Sequence, residues 1–98
     1  MEIVIEIKKE NLQKAKEILL KDDVVSRATI IFKEAKTLGF DNKNYYCYIS
    51  GLEEQCEKAK ELIKDISKLI ENEKKDEIIK KIKEEENTAL EGFGNIFG

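Results

Sequence analysis

The sequence predicts a small α+β domain whose elements run β-α-β-β-α, followed by one further helix. Three observations predict this class: strict apolar alternation at the N terminus, helical spacing of apolar residues in later segments, and a short alternating aromatic run near the middle. With 98 residues, 41% hydrophobic and 40% charged, the chain is long enough for a modest core without disulfides or metal. We therefore expect a single domain over residues 1–98, with an α/β core over 1–71 and a C-terminal helix and Gly/Phe tail over 72–98.

The first strand and the first helix follow from residue periodicity. In "EIVIEIK" three isoleucines alternate with charged residues and one valine, which predicts a half-buried strand. "NLQKAKEILLKDD" then changes to helical spacing, with Asn11 as N-cap and an end at Asp22 and Asp23. The first two elements are therefore β and α.

Residues 24–38 fit two structures. Five of the first eight are β-branched, which favours a strand over 24–32. Helical spacing and a possible Schellman cap at Gly39 and Phe40 favour a helix instead, which would give the order β-α-α-β-α-α. We prefer the strand, because a helix here would leave only a two-stranded sheet, which is marginal alone. The residues at helical spacing are Val24, Ala28, Ile31, Ala35 and Leu38.

The second half of the chain predicts a strand and two helices. "YYCYIS" is a strand with Tyr46 and Tyr48 on one face, and "SGLE" suggests a capping box between Ser50 and Glu53. Apolar residues separated alternately by four and three positions predict a long helix up to Ile70. After "ENEKKD", Asp76 would cap a last helix that ends at Gly92. The stripe of the long helix is Leu52, Cys56, Ala59, Ile63, Ile66 and Ile70.

Two resemblances follow from these patterns. The element order resembles the ferredoxin-like α/β plait over residues 1 to about 71, with its fourth strand missing or replaced. Lysine, glutamate and isoleucine are abundant, Arg27 is the one arginine, and histidine, proline and tryptophan are absent. This composition resembles that of small proteins from heat-loving, AT-rich archaea, in which lysine and glutamate support surface ion-pair networks. Neither resemblance implies an activity.

The residue inventory argues against an enzyme. Without histidine there is no Ser-His or Cys-His pair, and no GxxxxGK[ST] or GxGxxG phosphate loop occurs. Cys47 and Cys56 cannot supply a zinc site and are expected to be core residues. The acidic clusters at residues 22–23 and 84–86 lack the form of a calcium loop, and the second fits an ion-pair face. We therefore expect no catalytic residue, no metal and no cofactor.

Charge and hydropathy also argue against some classes of binding partner. A net charge of −3 argues against nucleic acid, and no apolar run approaches the roughly 18 residues of a membrane span. The acidic, alternating start differs from a signal peptide, so we expect a cytoplasmic protein. Tyr46 and Tyr48 superficially resemble the stacking aromatics of RNA-recognition motifs. However, the glycines of that motif are absent, and Glu2 and Glu6 on the first strand would repel phosphate.

The chain ends in "EGFGNIFG", an apolar segment after a long charged one. Exposed at a terminus, such a segment would favour aggregation, so we expect it to dock on its own sheet, on an identical subunit or on a different protein. The leading hypothesis is a non-enzymatic protein that acts through association, as a homodimer. The alternatives are a small-ligand regulatory module of the plait type, although "KKEN" replaces its Gly-rich turn, and a weak RNA-binding module. The candidate contact residues are Tyr46, Tyr48, Phe93, Ile96 and Phe97.

Overall fold

The structure, a computed structural model, describes the backbone of residues 1–97 and the side chains of residues 1–86. Within these residues, three α-helices accompany a four-stranded antiparallel sheet with the strand order β2-β3-β1-β4. Short 3₁₀ turns precede α1 and β2, follow β2, and join α2 to β4. The elements are β1 (Glu2–Ile7), α1 (Leu12–Lys21), β2 (Thr29–Glu34), β3 (Tyr45–Ser50), α2 (Glu53–Ile63), β4 (Ser67–Ile70) and α3 (Asn72–Phe97).

One face of the sheet forms a first core with α1 and α2. The alternation in β1 is confirmed, because Ile3, Ile5 and Ile7 are all buried in this core. The small residues Ala15 and Ala59 are fully buried, which allows each helix to approach the strands closely. The other buried members are Leu19, Val25, Cys47, Ile49, Cys56 and Ile63.

The opposite face forms a second core with α3. Ile78 and Ile82 of the helix are buried there together with Val4 of β1 and Tyr46 of β3. Helices of the same chain therefore cover both faces of the sheet. The other buried members are Ala35, Leu38, Tyr48 and Ile70.

Residues 24–38 do not form the alternative helix. β2 pairs with β3 from Thr29 to Glu34, so a strand is present, but it begins five residues later than predicted. The strand begins later because a 3₁₀ turn occupies Val25–Arg27. The Schellman cap does form, at the end of a second 3₁₀ turn: Gly39 has φ 90°, and the amide of Phe40 donates to the carbonyl of Ala35 at 3.0 Å.

The predicted long helix is wrong in its second half. α2 ends at Ile63, and Ser67–Ile70 form β4, which pairs antiparallel with β1. The expectation that a fourth strand is missing or replaced is therefore wrong, because the sheet has four strands. Ile70, expected on the same stripe as Ile63, points to the other face of the sheet and is buried in the second core.

Two helix boundaries also differ from the prediction. The amide of Leu52 donates to Oε1 of Gln55 at 2.8 Å, so the cap lies two residues after Ser50, which belongs to β3. α3 begins at Asn72 instead of Asp76 and extends to Phe97 instead of Gly92. Asn72 has φ 62°, a left-handed conformation that asparagine tolerates, and this allows the chain to turn from β4 onto the sheet face.

Candidate functional site

The two tyrosines proposed as contact residues lie beneath α3. Tyr46 is fully buried, and Tyr48 is 6% exposed. The ring of Tyr46 meets that of Phe40 edge to face at 5.4 Å, with Nζ of Lys74 5.7 Å from the ring centroid. Neither tyrosine therefore offers an open ring face on which a base could stack.

The hydroxyl of Tyr48 takes part in a charged cluster at the rim of the second core. It donates to the carboxylate of Glu2, which also pairs with Nζ of Lys83 at 3.1 Å. The bond from Tyr48 and the contact with Lys83 lower the pKa of Glu2, while burial and the bond to Glu2 raise the pKa of Tyr48. Both groups keep their usual charge at neutral pH, so the cluster ties α3 to the sheet and is unsuited to proton transfer.

The other three candidate contact residues are in the last turns of α3. The side chains of Phe93, Ile96 and Phe97 lie outside the described part of the chain. Their role in association stays a prediction.

Several titratable side chains that could carry chemistry are buried or paired in the structure. Among the described residues, no group of three or more acidic or cysteine side chains could hold a metal ion. Cys47 and Cys56 are buried, and burial raises the pKa of both thiols. Glu85 and Glu86 pair with Lys33 of β2 at 3.1 and 3.0 Å, which joins α3 to the sheet.

Asp22, from the other acidic cluster, caps the 3₁₀ turn before β2. Its Oδ1 accepts hydrogen bonds from the amides of Val24 and Val25, each at 2.9 Å, and its Oδ2 pairs with Lys58 at 3.0 Å. The bond from Val25, followed by the contact with Lys58, lowers the pKa of Asp22. This carboxylate therefore has a local structural role.

Because both faces are covered, the two edges of the sheet are the surfaces that offer main-chain groups to another strand. At the β2 edge, Lys33 is held by carboxylates of α3, and Nζ of Lys16 lies 5.5 Å from the ring centroid of Phe32. At the β4 edge, Lys68 is exposed and Leu69 is 37% exposed. Charged contacts thus surround the first edge, whereas the second presents an apolar side chain.

A groove of about 360 Å³ runs between β4 and α2. Its helical wall is a row of alternating charge, in which Lys60 pairs with Glu57 at 2.7 Å and Lys64 with Glu61 at 2.8 Å. Glu57, Lys60 and Glu61 lie on one face of α2, and Lys64 is the first residue of the 3₁₀ turn that follows the helix. The rest of the lining is Ile5, Ser67 and Leu69. A strand edge with a helix alongside is an arrangement to which an extended chain can add.

Sequence reasoning missed this site because it assigned residues 67–70 to a helix. The local signal for a strand is weak, because "SKLI" has two polar residues followed by two apolar ones and does not alternate. Four residues are too few to outweigh the helical spacing on either side.

Comparison with known proteins gives no family for this chain. No protein-family model matches it, and no curated protein or solved structure is significantly similar to it. In the part of the chain that the structure describes, no helix is both long and apolar enough to cross a membrane. Function must therefore be inferred from the geometry of the surface.

Proposed function

We propose that this protein is a non-enzymatic association module that works as a homo-oligomer, in the simplest case a homodimer, and that β4 and its groove form the contact surface. The observation that carries the proposal is the position of β4 at the edge of the sheet, with Leu69 exposed beside the groove. An edge strand presents unpaired N–H and C=O groups that favour pairing with another strand. If the pairing also removes an exposed leucine from water, the burial of its side chain stabilises the dimer further.

We also propose that the fold is an extended ferredoxin-like plait. The succession β1-α1-β2-β3-α2-β4 supports this, since it is the order of that fold. In this proposal α3 is an addition that covers the sheet face opposite α1 and α2. Because the added helix covers that face, the two edges of the sheet remain as surfaces for association.

Light scattering coupled to size-exclusion chromatography tests the proposed function. Between about 10 μM and about 1 mM, the range expected for a small interface, the mass should rise from that of the 11.3 kDa chain towards twice that value. Leu69→Lys should keep the protein monomeric, because it places a charge in the contact. Leu20→Lys is the matched control, since Leu20 is 53% exposed on α1 and lies outside the groove. A wild-type mass that stays monomeric throughout would refute the proposal.

The C-terminal segment is a second candidate contact surface in this proposal. Its apolar residues follow the charged part of α3, and burying a cluster of large apolar side chains in a contact stabilises the association. A Phe93→Ala/Ile96→Ala/Phe97→Ala variant separates the two surfaces. If the average mass of this triple variant falls as far as that of Leu69→Lys, the segment is part of the contact. If the triple variant remains a dimer, the contact is formed by β4 alone.

A small-ligand regulatory module is the second candidate function. The groove favours it, because about 360 Å³ is within the range of small-molecule sites and Lys60 and Lys64 line it. A thermal-shift screen with small anionic metabolites should then raise the midpoint of unfolding, and Lys60→Gln/Lys64→Gln should abolish the shift. If no compound shifts the midpoint, this candidate fails. The covered tyrosines remove the observation that favoured RNA binding, so we do not propose it.

A further inference from the structure

The charged row, which consists of three residues of α2 and Lys64 just after it, is complementary to a second copy of itself. Along the groove side of the helix the charges of residues 57, 60, 61 and 64 read negative, positive, negative, positive. If an identical helix faces this row in the opposite direction, Glu57 lies opposite Lys64 of the other copy, and Lys60 lies opposite Glu61. A parallel arrangement in register would oppose like charges. The row is therefore self-complementary in the antiparallel orientation that a two-fold axis produces.

The β4 edge selects the same orientation. Residues directly opposite each other in an antiparallel pair point to the same face of a sheet. Placing Leu69 opposite Leu69 of a second copy brings the two exposed leucines together on the groove side, because Leu69 pairs with the groove residue Ile5. The register centred on Lys68 would instead oppose two lysines, which is unfavourable. Leu69 is thus the favoured centre of a strand pair.

The centres of the charged row and of a strand pair centred on Leu69 lie within about 3 Å of each other along the groove. Oγ of Ser67 donates to the carbonyl of Ile63 at 2.6 Å, so β4 begins beside the end of α2 and runs back along the groove. From Ile63 to the middle of the charged row is about 4 Å at the rise of an α-helix. From Ser67 to Leu69 is about 6.6 Å at the rise of a strand. One two-fold axis can therefore serve both elements.

We propose that two copies of this chain associate about a two-fold axis beside Leu69, so that their sheets join through β4 and their α2 helices face each other in opposite directions. This rests on the proposed homo-oligomerisation and specifies its partner surface. The contact combines a short strand with one side of one helix from each copy. It is therefore small, and the dimer dissociates readily.

The proposal is tested by making two oppositely charged versions of the full-length chain. Lys60→Glu/Lys64→Glu makes the row wholly acidic, and Glu57→Lys/Glu61→Lys makes it wholly basic. Each variant alone should dimerise at least about tenfold more weakly than wild type, because opposing rows then repel. An equimolar mixture should recover the wild-type dissociation constant within about threefold, with the heterodimer visible by native mass spectrometry.

Lys14→Glu/Lys21→Glu on α1 is the control, because it changes the net charge as much as the acidic variant does at exposed positions outside the groove. It should dimerise like wild type, and circular dichroism should give all variants the wild-type spectrum. The inference is overturned if both row variants dimerise like wild type, or if the mixture stays monomeric. In the first case homo-oligomerisation survives through another surface, such as β2 or the C-terminal segment. If wild type is itself monomeric at about 1 mM, the proposed function fails as well.

Discussion

The two faces of the sheet are stabilised in different ways. The buried residues beneath α1 and α2 are aliphatic, apart from two cysteines, so the interior of that face depends mainly on apolar burial. The face beneath α3 contains two tyrosines, and charged side chains surround it. Hydrogen bonds and ion pairs depend on pH and salt in a way that aliphatic contacts do not. The attachment of α3 should therefore respond to solution conditions, whereas the first core should not.

The largest effect is expected in the first core. Ile49→Ala should lower the free energy of unfolding by about 3–5 kcal/mol, because Ile49 is fully buried among tightly packed neighbours and its truncation leaves a cavity. Urea unfolding followed by circular dichroism measures the change. A loss below about 1 kcal/mol would mean that this face is not a close-packed core.

Truncation in the second core should have a smaller and more local effect. Ile82→Ala should lower the free energy of unfolding by about 2–3 kcal/mol, since α3 can move towards the sheet and partly fill the space. Amide hydrogen exchange should accelerate in α3 more than in α1 or α2. Equal acceleration in all three helices would contradict the separation of the two faces.

The bond from Tyr48 to Glu2 should contribute less than either core residue. Tyr48→Phe should lower the free energy of unfolding by about 1 kcal/mol, a value discounted for the partial exposure of Glu2. Tyr46→Phe is the matched control, because its hydroxyl only accepts a long bond of 3.4 Å from Asn42. If the two variants lose the same stability, the hydroxyl of Tyr48 has no special role.

The same bond predicts a dependence on pH. The pKa of Glu2 is lowered in the folded protein, so its contribution to stability is complete above its ordinary value of 4.5 and is lost as the pH falls through the folded value. Glu2→Gln and Tyr48→Phe should both weaken this dependence in acid unfolding profiles. Profiles that match wild type in slope below pH 4.5 would show that the bond does not persist in solution.

The smallest effect is expected for the ion pairs between α3 and β2. Lys33→Met should lower the free energy of unfolding by at most about 1 kcal/mol, because these pairs are partly exposed to solvent. The difference from wild type should shrink as salt is added. If salt leaves the difference unchanged, the effect arises from packing of the lysine side chain and not from charge.

The sequence predicts β1 correctly but not β4. The period-two pattern of β1 correctly predicts the isoleucine face, since alternation along one strand is local information. β4 was missed because Ile66 and Ile70 continue the helical spacing of Ile63, although Ile70 is buried on the other face of the sheet. Its strand conformation depends on pairing with β1, which a local pattern does not report.

The candidate site was missed for the same reason. Without β4 there is no edge beside α2, and the charged row of α2 looks like an ordinary solvated helix face. The tyrosines were assigned to the correct common face. Cover by α3 itself could not be predicted from the sequence, since helical spacing in α3 gives no direction of docking.

Hydrogen exchange of the β4 amides, measured by NMR at protein concentrations below and above the dimer dissociation constant, tests the central claim most directly. We predict that the amides of Ser67–Ile70 that point away from β1 become protected as the concentration rises, because the strand edge pairs with a second copy. Amides of Thr29–Glu34 at the other edge should exchange at the same rate in both samples. Exchange at β4 that is independent of concentration, or new protection at β2 instead, would contradict association through the β4 edge.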